Sequence, residues 1–146
     1  MSRRRQSVKK AGTIDLCVYK IISYFTGECL LDLKSIKTEK DIIEALKHKT
    51  QFERDVLVAT FRIPEGKIST YKRIAESIDK PKAYRAVANA LHKNPLWPVV
   101  PCHRVVCSDG SFGGPEKSAD GRRKSVIKEK VPIKNGKVEL TNEILF

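Results

Sequence analysis

The run Pro101-Cys102-His103-Arg104-Val105-Val106 sets a thiol, an imidazole and a guanidinium side by side. A thiol attacks carbon only as the thiolate, and an ordinary cysteine with a pKa near ~8.5 is mostly protonated at neutral pH. Four features could draw the pKa of Cys102 down. His103 can take its proton, directly or through a water, and Arg104 adds positive charge. A basic helical hairpin precedes the run, and a later carboxylate, Glu129, could orient the imidazole and complete a Cys-His-Glu relay. Neighbouring side chains on a strand point to opposite faces, so Cys102 and His103 can cooperate only if the chain turns there. Pro101 makes such a turn plausible. From the residues alone, Cys102 is either a nucleophile or a structural cysteine.

The other cysteines, Cys17, Cys29 and Cys107, form no paired short-spacing zinc pattern. Cys17, Cys29 and His48 could in principle contribute metal ligands. Both cysteines lie in apolar stretches, however, where a free cysteine behaves as a small hydrophobe. No metal and no cofactor are therefore expected. The basic start Met1-Ser2-Arg3-Arg4-Arg5-Gln6 is followed by no apolar run, so it is not read as a secretory signal. No stretch approaches the apolar length needed to span a bilayer, and no membrane is expected. A disulfide framework is not expected either. A cytoplasmic, nucleoid-associated protein is expected, and a monomer.

The 146 residues suit one domain, or one domain with a small appendage. With 29 Lys plus Arg against 17 Asp plus Glu, the net charge is +12, which attracts polyanions, and nucleic acid is the commonest one inside cells.

Elements must hold the cysteine run in place. Residues 1–12 form a basic tail, and 13–25 and 29–33 read as two strands about a turn at Thr26-Gly27-Glu28. Residues 39–48 read as a helix with a Thr38/Asp41 capping box. A second box, Thr50 with Glu53, opens a helix that should end at Ile63, before Pro64. Ser69 can cap a helix to about Ile78, and Pro81 suits the start of another running from Lys82 to about His92. Two short helices with small residues at their contact resemble a helix-turn-helix. Asn94-Pro95-Leu96-Trp97-Pro98 is a rigid link into the cysteine run. Residues 108–121 read as a loop, Arg122–Lys130 as a short basic helix, and Asn135-Gly136 as a hairpin turn. The fold class is α+β. A reduced N-terminal α/β domain over 1–49 is joined to a mainly helical, winged-helix-like domain over 50–146 that ends in the hairpin.

Pro101-Cys102-His103-Arg104-Val105 resembles the active-site signature of the O6-alkylguanine-DNA alkyltransferases. The resemblance extends from about Gln51 to Phe112. It takes in Phe52, Ile63-Pro64-Glu65-Gly66-Lys67, Thr70-Tyr71, Ile74-Ala75, Arg85-Ala86-Val87 and Asn94-Pro95. It implies double-stranded DNA carrying an alkylated base as partner, and irreversible transfer of the alkyl group to Cys102 after base flipping. His103 would be the base, Asn94 would buttress the active-site turn and Glu129 would orient His103. Arg85 would enter the base stack and Tyr71 would help rotate the nucleotide. The recognition helix would be Lys82–His92, with Ala83 and Ala86 near the minor groove. The implied DNA face comprises Thr70, Tyr71, Lys82, Ala83, Arg85, Ala86 and Arg104. The implied pocket comprises Val105, Gly113, Gly114, Pro115 and Glu116.

Three departures from the family stand out. The N-terminal part is short. Gly113-Gly114 are followed by Pro115-Glu116 where the family has a tyrosine flanking the base. The family's Leu-Leu-x-x-Glu pattern is blurred, and Glu129 is one position out of register if Val126-Ile127 match the two leucines. Two other readings remain: an alkyltransferase-like protein that binds lesions without reacting, in which tryptophan commonly replaces the cysteine, and a helix-turn-helix transcription factor.

Overall fold

The computed structural model describes residues 33–146. The two strands expected before residue 33, with Cys17 and Cys29, lie outside the described residues. Helix α1 spans Glu39–Ala45 and α2 spans Gln51–Phe61. Both capping boxes form: the Thr38 and Thr50 hydroxyls accept from the backbone of Asp41 and Glu53, whose carboxylates return to the cap residues. A cap of this kind contributes about 1 kcal/mol. The α2 helix ends two residues earlier than the proline rule alone suggests.

Strand β1, Ser69–Thr70, runs into helix α3, Tyr71–Ser77, and a turn leads to α4, Tyr84–His92. The cap of α3 is Thr70 rather than Ser69, because Ser69 is committed to the strand. Asp79 ends the helix with a left-handed φ of 58°, and the Lys80 N–H returns to the Ala75 carbonyl at 2.9 Å. Lys82 and Ala83 lie in the turn, so α4 starts two residues later than expected. Ile74 and Ala75 of α3 pack with Val87, Ala90 and Leu91 of α4 and with Val56 and Leu57 of α2 in one core.

That core also takes Ile42, Ala45 and Leu46 from α1, and Arg62 pairs with Glu39 at 2.7 Å. Helix α1 therefore belongs to the same compact unit as α2. An amphipathic helix of seven residues needs a partner surface, and α2 supplies it.

Strand β2, Val105–Val106, pairs in parallel with β1, Ser69 against Val105 and Thr70 against Val106. Helix α5 spans Glu116–Lys128, so the last six residues of the expected loop over 108–121 are helical. A weak apolar pattern hid its first turns: only Ala119 and Val126 are buried. The hairpin joins β3, Ile133–Lys134, to β4, Lys137–Val138, with positive φ at Asn135 and Gly136. Together with Ile68, Val106, Phe112 and Val131, residues of α5 and the hairpin form a second core.

Candidate active site around Cys102

Cys102–Arg104 form a single 3-10 turn between Pro101 and β2. The Arg104 N–H donates to the Pro101 carbonyl, and the Cys102 N–H to that of Val100, both at 2.9 Å. The turn expected at Pro101 is present. It is anchored on both faces by the strand that follows, because Val105 enters the helical core and Val106 the second core. Pairing of β2 with β1 then ties the cysteine turn to the start of α3. The cysteine turn and the helix-turn-helix thus belong to one packed piece.

Inside this piece His103 is buried, and its Nε2 lies 2.6 Å from Oε1 of Glu129. The same carboxylate takes three hydrogen bonds from Arg104, at 2.8 to 3.1 Å, and one from the Gly66 N–H at 3.3 Å. Burial raises the Glu129 pKa, but the hydrogen bonds from Arg104, His103 and Gly66 outweigh it and hold the carboxyl at about 2. An ionised Glu129 accepts a hydrogen bond from Nε2–H, which leaves Nδ1 of His103 with its lone pair. Nδ1 is buried and has no hydrogen-bond partner among the described protein groups. An imidazole in this tautomer can take a proton at Nδ1.

Val126 is fully buried while Ile127 is 54% exposed, so Val126 is the residue of this pair that turns to the core, one turn before Glu129.

Asn94 is buried, donates to the Val100 carbonyl and accepts from the Leu96 N–H, both at 2.9 Å. These bonds close the Asn94–Val100 link on which the cysteine turn rests. Burial pushes the Cys102 thiol up, opposed by a hydrogen bond from Asn94 and by the charge of Arg122. This corrects the expectation that His103, Arg104 and the helical hairpin draw the thiol down. His103 and Arg104 are turned to Glu129, and Arg104 also donates to the Ile63 carbonyl at 2.7 Å. The cation that acts on the sulfur is Arg122, which sequence reasoning placed only as the first residue of a basic helix. A signal was there: Arg122, Val126 and Glu129 stand at i, i+4 and i+7, one face of α5.

The expected DNA residues divide. Lys82, Arg85 and Ala86 are exposed and Ala83 half-buried, at the start of α4. The Arg85 guanidinium lies 6.0 Å from the Tyr84 ring centroid and pairs with no carboxylate among the described residues. Thr70 is buried, capping α3. Tyr71 is buried, and its hydroxyl accepts from Arg122 at 3.1 Å. Arg104 is turned inward, with 15% of its side chain exposed, and does not present itself to DNA.

The expected pocket residues divide too. Val105 is core. Gly113 faces Tyr71 and Cys107: a Cβ there would stand 3.4 Å from the Cys107 sulfur and 3.6 Å from the Tyr71 hydroxyl. Gly114 has a φ of +86°, and a Cβ would stand 2.9 Å from the His92 ring. Pro115 precedes the first turn of α5. Glu116 is 83% exposed and reaches toward Arg123 at 3.4 Å, so it does not line a pocket. A cavity of about 270 Å³ beside the site is lined by Tyr71, Lys72, Tyr84, Cys107 and Ser108.

No described helix is long and apolar enough to cross a membrane. The family model for the 6-O-methylguanine DNA methyltransferase DNA-binding domain matches residues 51–131. The methylated-DNA–protein-cysteine methyltransferase of Methanosarcina barkeri is 41% identical over 92 residues, 63% of this chain and 52% of that protein. The structure of S. pombe Atl1 in complex with damaged DNA containing O6-carboxymethylguanine is similar with a TM-score of 0.59 and 30% identity, over 66% of this chain and 94% of that one. Mycobacterium tuberculosis OGT in complex with DNA is similar with a TM-score of 0.53 and 37% identity, over 56% of this chain and 50% of that one. The chain spans about half the length of the curated relatives it matches. With a matched region that fills more than half of its 146 residues and contains the whole cysteine turn, the chain belongs to the 6-O-methylguanine DNA methyltransferase family.

Proposed function

We propose that this chain repairs alkylated duplex DNA by taking the alkyl group from O6 of guanine onto Cys102, once per molecule. The observation that carries the reading is the 2.6 Å contact of His103 with Glu129 beside the cysteine turn. His103 takes the Cys102 proton at Nδ1, directly or through a water. The sulfur attacks the alkyl carbon, the carbon–O6 bond breaks with its electron pair left on guanine, and the proton passes to the departing base. The thioether is stable, so the protein is consumed.

A base inside the stack cannot reach this sulfur, and extruding it costs a few kcal/mol. Exposed Arg85 on α4 is the side chain to fill the gap, with Lys82, Ala83 and Ala86 against the backbone. Net charge +12 supplies affinity that does not depend on sequence. On this reading the protein works where DNA is, and a cytoplasmic, nucleoid-associated location fits that role.

Two observations favour a second reading, lesion binding without transfer. The chain covers 94% of S. pombe Atl1, and Pro115-Glu116 stand where an aromatic wall was expected. Incubating the protein with duplex DNA holding a tritiated methyl on guanine O6 separates the two. Transfer gives up to one label per protein and none with Cys102→Ser. Retention of all label on DNA, with tight binding, supports the second reading.

A further inference from the structure

Among the described residues four large apolar or aromatic side chains stand exposed, Ile43, Tyr84, Ile127 and Phe146, and of these Tyr84 belongs to the helix-turn-helix. It is 45% exposed, and its hydroxyl has no hydrogen-bond partner among the described residues. A ring left half in water on a binding helix has a flat face for a partner to cover.

Its neighbours narrow that partner. The Arg85 guanidinium lies 6.0 Å from the Tyr84 ring centroid. The same ring is a wall of the cavity of about 270 Å³ whose other walls are Tyr71, Lys72, Cys107 and Ser108. Pairing of Thr70 with Val106 explains why those four stand together: Tyr71-Lys72 and Cys107-Ser108 leave the end of one parallel ladder side by side. At Gly113 two of these walls converge, since a Cβ there would stand 3.4 Å from the Cys107 sulfur and 3.7 Å from the Tyr71 ring. Tyr71, Cys102 and Cys107 all pack on the helical core, so this cavity lies on the side of β2 that carries the reactive turn. Tyr84 thus joins the side chain that fills the vacated place in the stack to the cavity beside the cysteine turn.

The chemistry of the walls suits a nucleotide. Any base has a π-face that can stack on an aromatic ring, whatever its sequence context. Exposed Lys72 stands 3.9 Å from Glu76, a surface pair weak enough for the ammonium to turn to a phosphate. The Ser108 hydroxyl is exposed beside it. The stretch Gly113-Gly114-Pro115-Glu116 offers no aromatic face, and Phe112 before it is taken by the second core.

We propose that Tyr84 is the stacking face for the extruded nucleobase, with Lys72 and Ser108 toward its phosphate. The inference rests on base extrusion in the alkyl-transfer reading and names the side chain that receives the base. No bond changes at Tyr84, so its share shows in binding.

The test uses Cys102→Ser protein carrying Tyr84, Tyr84→Phe or Tyr84→Leu. Affinity is measured for three duplexes of one sequence: with O6-methylguanine, with an abasic site at that position, and undamaged. Leucine keeps apolar bulk without a flat face, and an unchanged denaturation midpoint shows that the fold is kept. The preference for the lesion duplex over the abasic one should fall about tenfold in Tyr84→Leu and stay within about twofold in Tyr84→Phe. An unchanged preference in Tyr84→Leu overturns the inference. Equal weakening on all three duplexes assigns the ring to the groove, and an equal loss in Tyr84→Phe assigns the contact to the hydroxyl; both overturn it too. Methyl transfer by the protein with Cys102 intact is measured alongside. A base-dependent preference with no methyl on Cys102 sinks the transfer reading and leaves Tyr84 its role. Transfer with a preference indifferent to Tyr84 sinks the role and leaves the transfer.

Discussion

Glu129 and His103 meet at 2.6 Å across 26 residues of sequence, and the contact joins the last turn of α5 to the cysteine turn. Arg104 closes on the same carboxylate from the neighbouring position. One acid therefore fixes both residues that follow the nucleophile.

Glu129 is held at about 2, against 4.5 for an ordinary glutamate. A depressed folded pKa means stability that is full above pH 4.5 and lost as pH falls toward 2. Chemical denaturation between pH 5 and pH 3 should show unfolding free energy dropping by up to about 1.4 kcal/mol per pH unit from this group. In Glu129→Gln that part of the slope should vanish, and single-turnover repair at neutral pH should slow by about tenfold or more. An unchanged slope would remove Glu129 from its coupled position.

Arg85 is exposed and without an acidic partner among the described residues, so Arg85→Ala should leave the unfolding free energy within about 0.5 kcal/mol. The same variant should slow repair of duplex DNA far more than reaction with free O6-methylguanine base, since only the duplex demands extrusion. Equal losses on both substrates would mean that Arg85 does not enter the stack.

Glu116→Ser tests the surface placement of that side chain. Its carboxylate is 83% exposed and touches only Arg123, so the repair rate should change by no more than about twofold. A larger change would put the first turn of α5 in the pocket.

Gly121 lies inside α5, and nothing stands within 4 Å of the position its Cβ would occupy. Gly121→Ala should raise the unfolding free energy by about 0.5–1 kcal/mol, read from the denaturation midpoint. A loss of stability would mean that the helix is strained or packed there.

Much of this was written in the sequence. Both capping boxes, the Asn135-Gly136 hairpin and the turn at Pro101 are local chemistry, and local chemistry reads directly. Helix α5 was half missed, because a helix with two buried residues in thirteen carries little periodic signal. The packing of α1 against α2 is tertiary, and no local signal in the sequence announces it. Of the residues singled out from the sequence, His103 and Glu129 meet in the fold, and Asn94 closes the link that leads into the Cys102 turn. Arg104 and Arg122 exchanged the parts that adjacency suggests: the residue two positions from the sulfur is turned away from it, while one twenty positions on acts upon it. Sequence distance says nothing about which way a side chain leaves a 3-10 turn.

The most direct measurement is a peptide map by mass spectrometry after mixing the protein with a slight excess of duplex DNA containing O6-methylguanine. The expected result is one added methyl group, on the peptide that holds Cys102, with one guanine restored per protein consumed. A methyl group on Cys107, repeated turnover, or an unmodified Cys102 beside tightly bound lesion DNA would contradict transfer to Cys102.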